Sequence, residues 1–135
     1  MEPVSALLRG GGETILLVEH EEAVRLATRR ILEFLGYRIL EADDGNEAKR
    51  IIADETTIDL MLSDLILPGG LNGYQIYRAI VEHRPNMKCL FMSGYASLSD
   101  DQQPDGALLL GKPVDLRVLT TRLRKISTRN QRSLV

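Results

Sequence analysis

Five side chains in this chain are of the right types, and at the right places, to do chemistry together: Glu19, His20, Asp64, Ser93 and Lys112. Asp64 is the centre of the set. It follows Leu60-Met61-Leu62-Ser63, a short apolar run without helical period, which is the pattern of a strand covered on both faces. An acid there is costly to bury uncompensated. At the end of a parallel strand it faces the crevice where open α/β sheets bind ligands. Pro68-Gly69-Gly70 then turns the chain away. The other four close apolar runs in the same manner. Glu19-His20 follows Ile15-Leu16-Leu17-Val18, Ser93-Gly94 follows residues 88–92, and Lys112-Pro113 follows Ala107-Leu108-Leu109-Leu110-Gly111. Each has an ordinary reading by itself: an acid that caps a loop, a Ser-Gly turn, a Lys-Pro strand stop. Their joint occurrence at corresponding strand ends argues for one site holding two carboxylates, an imidazole, a hydroxyl and an ammonium.

Strands and helices in alternation must position these groups. The first strand covers 15–18. Residues 21–35 form a helix, with Ala23, Val24, Ala27, Ile31 and Leu35 on its inner face and Gly36 to end it. A second strand over 37–42 leads to Asp43-Asp44-Gly45-Asn46-Glu47. There Asp44 and Glu47 are spaced as a capping box for a helix that buries Ala48, Ile51 and Ile52. The strand ending at Asp64 is third. A helix over 73–83 turns Ile76, Ala79 and Ile80 inward, with Pro85 beyond its end. The fourth strand covers 88–92 and the fifth 107–110. The polar stretch 95–105, with Pro104, leaves room only for a short or irregular fourth helix. Leu116, Leu119, Leu123 and Ile126 mark a final helix. Five such repeats imply a doubly wound parallel sheet with right-handed crossovers, so all strand C-termini share one edge. Residues 1–12, ending in Arg9-Gly10-Gly11-Gly12, read as a flexible lead or linker. Residues 13–126 form the domain, and 127–135 a polar, frayed tail.

Composition narrows the function. A length of 135 residues, 44% hydrophobic and 27% charged, fits one globular core. The net charge of −2 gives no electrostatic case for direct binding to nucleic acid or a bilayer. The single cysteine, Cys89, rules out an internal disulfide framework and, set in an apolar run, reads as a small core residue. No apolar run approaches the roughly 18 residues of a membrane helix. Met1-Glu2-Pro3 lacks the features of a signal peptide, so a cytoplasmic location is expected. Arg122, Arg124 and Lys125 lie late in the last helix, where cations complement its dipole rather than mark a nucleic-acid patch. Enzymes of similar topology are unsupported. There is no Gly-x-x-x-x-Gly-Lys-[Ser/Thr] loop, and Gly10-Gly11-Gly12 precedes the first strand, the wrong side for a dinucleotide fingerprint.

The order of the motifs carries a specific resemblance. Ile15-Leu16-Leu17-Val18-Glu19, Asp64-Leu65-Ile66-Leu67-Pro68 with Asn72-Gly73, Met92-Ser93-Gly94-Tyr95-Ala96, and Lys112-Pro113 together resemble the response-regulator receiver domain, the phosphoacceptor module of two-component signalling. The resemblance runs from about 13 to 126. It implies a flavodoxin-like α/β fold with strand order 2-1-3-4-5. It implies that Asp64 accepts a phosphoryl group from a histidine kinase or histidine phosphotransfer domain, that Ser93 hydrogen-bonds that group, and that Lys112 pairs with it. Mg²⁺ would be held by Glu19, Asp64 and the backbone carbonyl of Ile66. The Lys112–Pro113 bond is often cis in this family. The roles are physically coherent, because phosphoryl transfer depends on positioning and charge neutralisation. The surroundings of the glycine lead resemble receivers fused to the C-terminus of hybrid sensor kinases; a stand-alone regulator is the other arrangement, and a dimer is left open.

Three departures qualify the resemblance. Receivers usually place a second metal-binding acid where this chain has His20. At ~4 Å and an effective dielectric near 20, a monovalent pair is worth about 4 kcal/mol, so Mg²⁺ affinity is expected to fall by orders of magnitude. A protonated His20 would repel the ion, whereas a neutral one would favour Mn²⁺ or Zn²⁺. A solvated strand-end histidine with no ligand role is the third reading. Leu109 stands where many receivers carry an aromatic switch residue, and the segment 94–111 is short. Two classes of function follow. One is a phosphorylation-dependent receiver acting at most on itself. The other is a degenerate receiver serving as a constitutive protein-interaction module.

Overall fold

The computed structural model describes residues 9–54, 57–69, 72–94 and 109–133, with side chains described as far as Ile126. The apolar runs become five parallel strands: β1 (Thr14–Val18), β2 (Arg38–Ala42), β3 (Leu60–Asp64), β4 (Lys88–Ser93) and β5 (Leu109–Gly111). The helices described are α1 (Glu22–Phe34), α2 (Gly45–Asp54), α3 (Gly73–Val81) and the C-terminal α4 (Leu116–Ser133). The sheet order is β2-β1-β3-β4-β5, as expected. Val18 is in register with both Ala42 and Ser63, Asp64 with Met92, and Ser93 with Gly111. These pairings bring the C-terminal ends of all five strands to one edge.

Strand alternation divides the core in two. Ile15 and Leu17 of β1, with Leu60 and Leu62 of β3, face Leu32 of α1, Leu35 just after it, and Leu119 and Leu123 of α4. Leu16, Val18, Met61 and Phe91 face Ala48 and Ile52 of α2 and Ile76 and Ile80 of α3. Phe91 is fully buried and meets Tyr74 and Tyr77 edge-to-face, each with ring centroids 5.8 Å apart. Strands buried on both faces account for the unbroken apolar runs.

Local signals set the helix ends. Gly36 adopts φ +101°, and α1 closes with Gly36 N–H donating to Glu33 O (3.1 Å) and Tyr37 N–H to Leu32 O (3.0 Å). This is the double-bonded glycine stop. Asp44 caps α2 by accepting from Glu47 N–H (2.8 Å). The reciprocal half expected of Glu47 is missing, since its carboxylate faces Arg50 at 3.6 Å. The complete capping box lies instead at α3, where Asn72 accepts from Gln75 N–H (2.7 Å) and Gln75 from Asn72 N–H (2.9 Å).

Three expectations are corrected. Gly10, Gly11 and Gly12 are not a free lead. Gly10 N–H donates to Leu35 O (2.7 Å), Gly12 N–H to Gly36 O (3.1 Å), and Gly11 N–H to the Glu13 carboxylate (2.6 Å). Gly10 also lies so close to the Tyr37 ring that an added Cβ would stand 2.6 Å from it, so glycine is needed for contact rather than for flexibility. The residues after Ser127 continue α4 to Ser133, past the last apolar position of the periodic pattern. In α1 only the C-terminal end of the expected inner face is closed. Ala23, Val24 and Ala27 stay exposed, and with Ile31 they line an apolar groove of about 660 Å³ against Pro113, Val114, Leu116 and Leu119. Their short side chains leave this groove unfilled. The fourth helix anticipated over 95–105, and Ala107 and Leu108 of the expected fifth strand, lie outside the described residues.

Candidate functional site

Asp64 ends β3 with its backbone clamped. Leu65 N–H donates to Met92 O (2.8 Å), Gly73 N–H to Leu65 O (2.7 Å), and the Ser63 hydroxyl to Asp64 O (2.8 Å). A Cβ on Gly73 would lie 2.2 Å from Asp64 O, so only glycine lets the start of α3 sit this close. Gly73 is a positioning residue that composition and periodicity did not reveal; its adjacency to the capping residue Asn72 was the available signal.

Glu19 follows β1 and is 1% exposed. Its N–H donates to Ala42 O (3.0 Å), and its carboxylate accepts from Glu21 N–H (3.2 Å). Arg25, one turn into α1, donates to the carbonyl of Glu19 (2.9 Å) while bonding Glu41 (3.3 Å). Arg25 thereby holds the chain at Glu19 in place, a role nothing in the sequence signalled.

Lys112 joins the two acids. Its Nζ lies 2.8 Å from Glu19 Oε1 and 2.7 Å from Asp64 Oδ1. Its backbone N–H donates to Ser93 O (3.0 Å), which binds the ends of β4 and β5 together. The Lys112–Pro113 peptide is cis. The contact with Asp64 is an ion pair whose angles fall outside hydrogen-bond geometry, so Oδ1 is buried without a hydrogen-bond donor. Glu19, His20, Asp64, Ile66, Ser93 and Lys112 all line one pocket of about 500 Å³. Ser93 is nearly buried, whereas His20 and Ile66 are exposed at the pocket's mouth. All five side chains singled out above, with Ile66, are therefore brought to one place.

The electrostatics follow from burial and from two acids sharing one lysine. Burial, then Glu19, push the Asp64 pKa up to about 7, with Lys112 opposing. Burial would raise Glu19 as well, but bonds from Asp64, Lys112 and the Glu21 N–H outweigh it and hold Glu19 below its ordinary value. Burial likewise disfavours charged Lys112, yet its bonds to both acids raise its pKa. The pocket thus holds one firm anion, one cation and a second acid that protonates near neutrality. The donor set fits Mg²⁺. Two carboxylates and a backbone carbonyl line one pocket, and a hard ion that keeps several waters needs only one or two carboxylates. Among the described residues no group of three or more His, Cys, Asp or Glu side chains is placed to hold a metal ion, so any ion would rest on the two carboxylates, a backbone carbonyl and water.

Comparison with known proteins places this geometry. A family model described as the response regulator receiver domain matches residues 15–124. The sensor kinase CckA of Brucella abortus is 33% identical over 120 residues, covering 86% of this chain; the chain spans 13% of CckA's length. The response regulator receiver protein CpdR of the same organism is 30% identical over 115 residues, covering 83% of this chain and 94% of CpdR. Among solved structures, the receiver domain from the hybrid histidine kinase CckA is 36% identical and matches with a TM-score of 0.70 over 84% of this chain and 97% of that one. The matched span, the sheet order and the motifs at its C-terminal edge agree: this chain belongs to the response regulator receiver domain family of two-component systems.

Proposed function

We propose that this receiver is phosphorylated on Asp64 by a phosphohistidine of a histidine kinase or histidine phosphotransfer domain. The observation that carries the reading is the placement of Lys112 Nζ within 2.8 Å of both Glu19 and Asp64, each at the end of a buried strand. In the step, an Asp64 carboxylate oxygen forms a bond to phosphorus as the bond from phosphorus to the donor imidazole nitrogen breaks. The imidazole leaves with that electron pair and takes up a proton. Asp64 must be ionised to attack, and Lys112 offsets the charge that arrives with the phosphoryl group. Ser93, at the end of β4, supplies a hydroxyl donor to the new oxygens. Glu19, Asp64 and the Ile66 carbonyl are the groups that would hold Mg²⁺, whose charge neutralises the approaching anion when it is bound.

The domain is a signalling module whose chemistry is directed at itself. A cytoplasmic location and a kinase partner follow from this reading; among the described residues no helix is long and apolar enough to cross a membrane. The test is incubation with a small phosphodonor and Mg²⁺, followed by intact-mass measurement. Gain of one phosphoryl mass, lost in Asp64→Ala, supports the reading. No gain with any of several divalent ions counts against it and favours a phosphorylation-independent interaction module. Exposed His20, where the family usually has an acid, is the observation that motivates this second reading.

A further inference from the structure

Glu19 is gripped from outside the pocket as well as within it. Its backbone N–H donates to Ala42 O (3.0 Å), and its carbonyl accepts from the Arg25 guanidinium (2.9 Å). The same guanidinium lies 3.3 Å from the carboxylate of Glu41, the residue before Ala42 in β2. These residues close a ring: consecutive positions of β2 hold Glu19, Ala42 directly and Glu41 through Arg25. Arg25 N–H also donates to Glu21 O (2.9 Å), and Glu21 N–H donates to the Glu19 carboxylate (3.2 Å). Glu41 follows Ile39 and Leu40, and its side chain is only 23% exposed, so its charge needs a partner. Neither Arg25 nor Glu41 lines the pocket that holds Asp64. We infer that both are positioning residues of that pocket: Glu41 aims Arg25 at the Glu19 carbonyl, and Arg25 thereby keeps the Glu19 carboxylate on Lys112.

The inference rests on Asp64 being the phosphoacceptor and adds two residues on which its surroundings depend. Glu19 meets Lys112 at 2.8 Å, and Lys112 meets Asp64 at 2.7 Å, so the place of Glu19 decides where the cation stands. Reactive geometry of this kind is held to within about 0.5 Å. Without Arg25 the Glu19 carbonyl loses its donor, the peptide after it is free to turn, and the carboxylate follows. A guanidinium suits the task because its planar fork donates to a carbonyl and a carboxylate at once, in fixed directions. Arg29, one turn further along α1, supplies the internal comparison. Its bonds go to the other oxygen of Glu41 and to Glu33, not to Glu19.

The test compares Arg25→Met, Arg25→Lys, Glu41→Ala and the double variant Arg25→Met/Glu41→Ala with the wild type, and takes Arg29→Met as control. Phosphoryl uptake from a small phosphodonor with Mg²⁺ is timed by intact mass. Exchange of the Lys112 ammonium protons with water is measured by nuclear magnetic resonance. Arg25→Met and Glu41→Ala are each expected to slow uptake about 10-fold and to speed the ammonium exchange, whereas Arg29→Met stays close to the wild type in both. The double variant should be no slower than Arg25→Met, because Glu41 acts through Arg25. A long-range charge effect is separated by sign: one single variant deletes a cation and the other an anion, so charge alone would move the two rates in opposite directions. Arg25→Lys keeps the charge but not the fork, and should be slowed as well. Opposite changes in the two single variants, additive losses in the double variant, or wild-type rates in Arg25→Met overturn the inference. If the wild type takes up no phosphoryl group, the phosphoacceptor reading fails, and the ammonium exchange alone decides on positioning. Faster exchange in both single variants then supports it, and unchanged exchange refutes it.

Discussion

Replacing Asp64 with Asn isolates what the buried acid costs the fold. Asp64 has an ordinary pKa of 3.8 and is pushed to about 7 by burial and by Glu19. The folded chain therefore binds this proton more tightly than the unfolded chain does. Between the two values the folded state carries the extra proton, so stability falls as pH rises through that window. Below 3.8 both states are protonated and the contribution is fully present; above about 7 it is gone. The whole interval corresponds to roughly 4 kcal/mol, and more than half of it falls between pH 5 and 8. Asn has the shape of the protonated acid and cannot ionise. In urea denaturation with EDTA present, followed by far-ultraviolet circular dichroism, Asp64→Asn should gain roughly 2–3 kcal/mol on the wild type as pH goes from 5 to 8. Groups that titrate alike in both proteins cancel from the comparison. Parallel stability curves across that range would falsify the claim that a buried, acid-paired Asp64 is ionised at a cost to the fold.

Lys112→Met, which keeps the length of the stem and deletes the charge, removes the cation between Glu19 and Asp64. It should destabilise the protein by about 2 kcal/mol at pH 8 and much less at pH 5, and slow the uptake of phosphate from a small donor; the exposure of Lys112 keeps this below the cost of breaking a fully buried pair. Two glycine substitutions should differ sharply in denaturation experiments. Gly73→Ala drives a Cβ to 2.2 Å from the backbone oxygen of Asp64 and should cost about 3 kcal/mol, with lowered phosphorylation. Gly45→Ala meets the far end of the Ile76 side chain, which can move, and gains helix propensity, so its cost should be about 1 kcal/mol or less. Similar losses in the two would contradict the view that backbone contact at Gly73 fixes Asp64.

The linear order of residues determined the class of fold and the membership of the site. Unbroken apolar runs of strand length, each closed by a polar residue, are local facts that survive any packing, and alternation with helical periods leaves few topologies. Covalent adjacency placed Glu19 after β1, Asp64 at the end of β3, Ser93 at the end of β4 and Lys112 after β5, so the sheet order sufficed to bring them to one edge. The tertiary structure decided the properties that depend on distance and on exclusion of water. Lys112 lies 93 positions from Glu19, and its 2.8 Å contact exists only because the strand registers align their ends. The rise of the Asp64 pKa needs burial beside a second acid, which no local pattern encodes. The glycines mark the same boundary. As letters, Gly10-Gly11-Gly12 signalled freedom, yet Gly10 is packed against Tyr37, and Gly73 is required because Asp64 O passes where a side chain would be. A glycine's lack of a side chain is written in the sequence, but what occupies the vacated space is set by the neighbours that folding supplies.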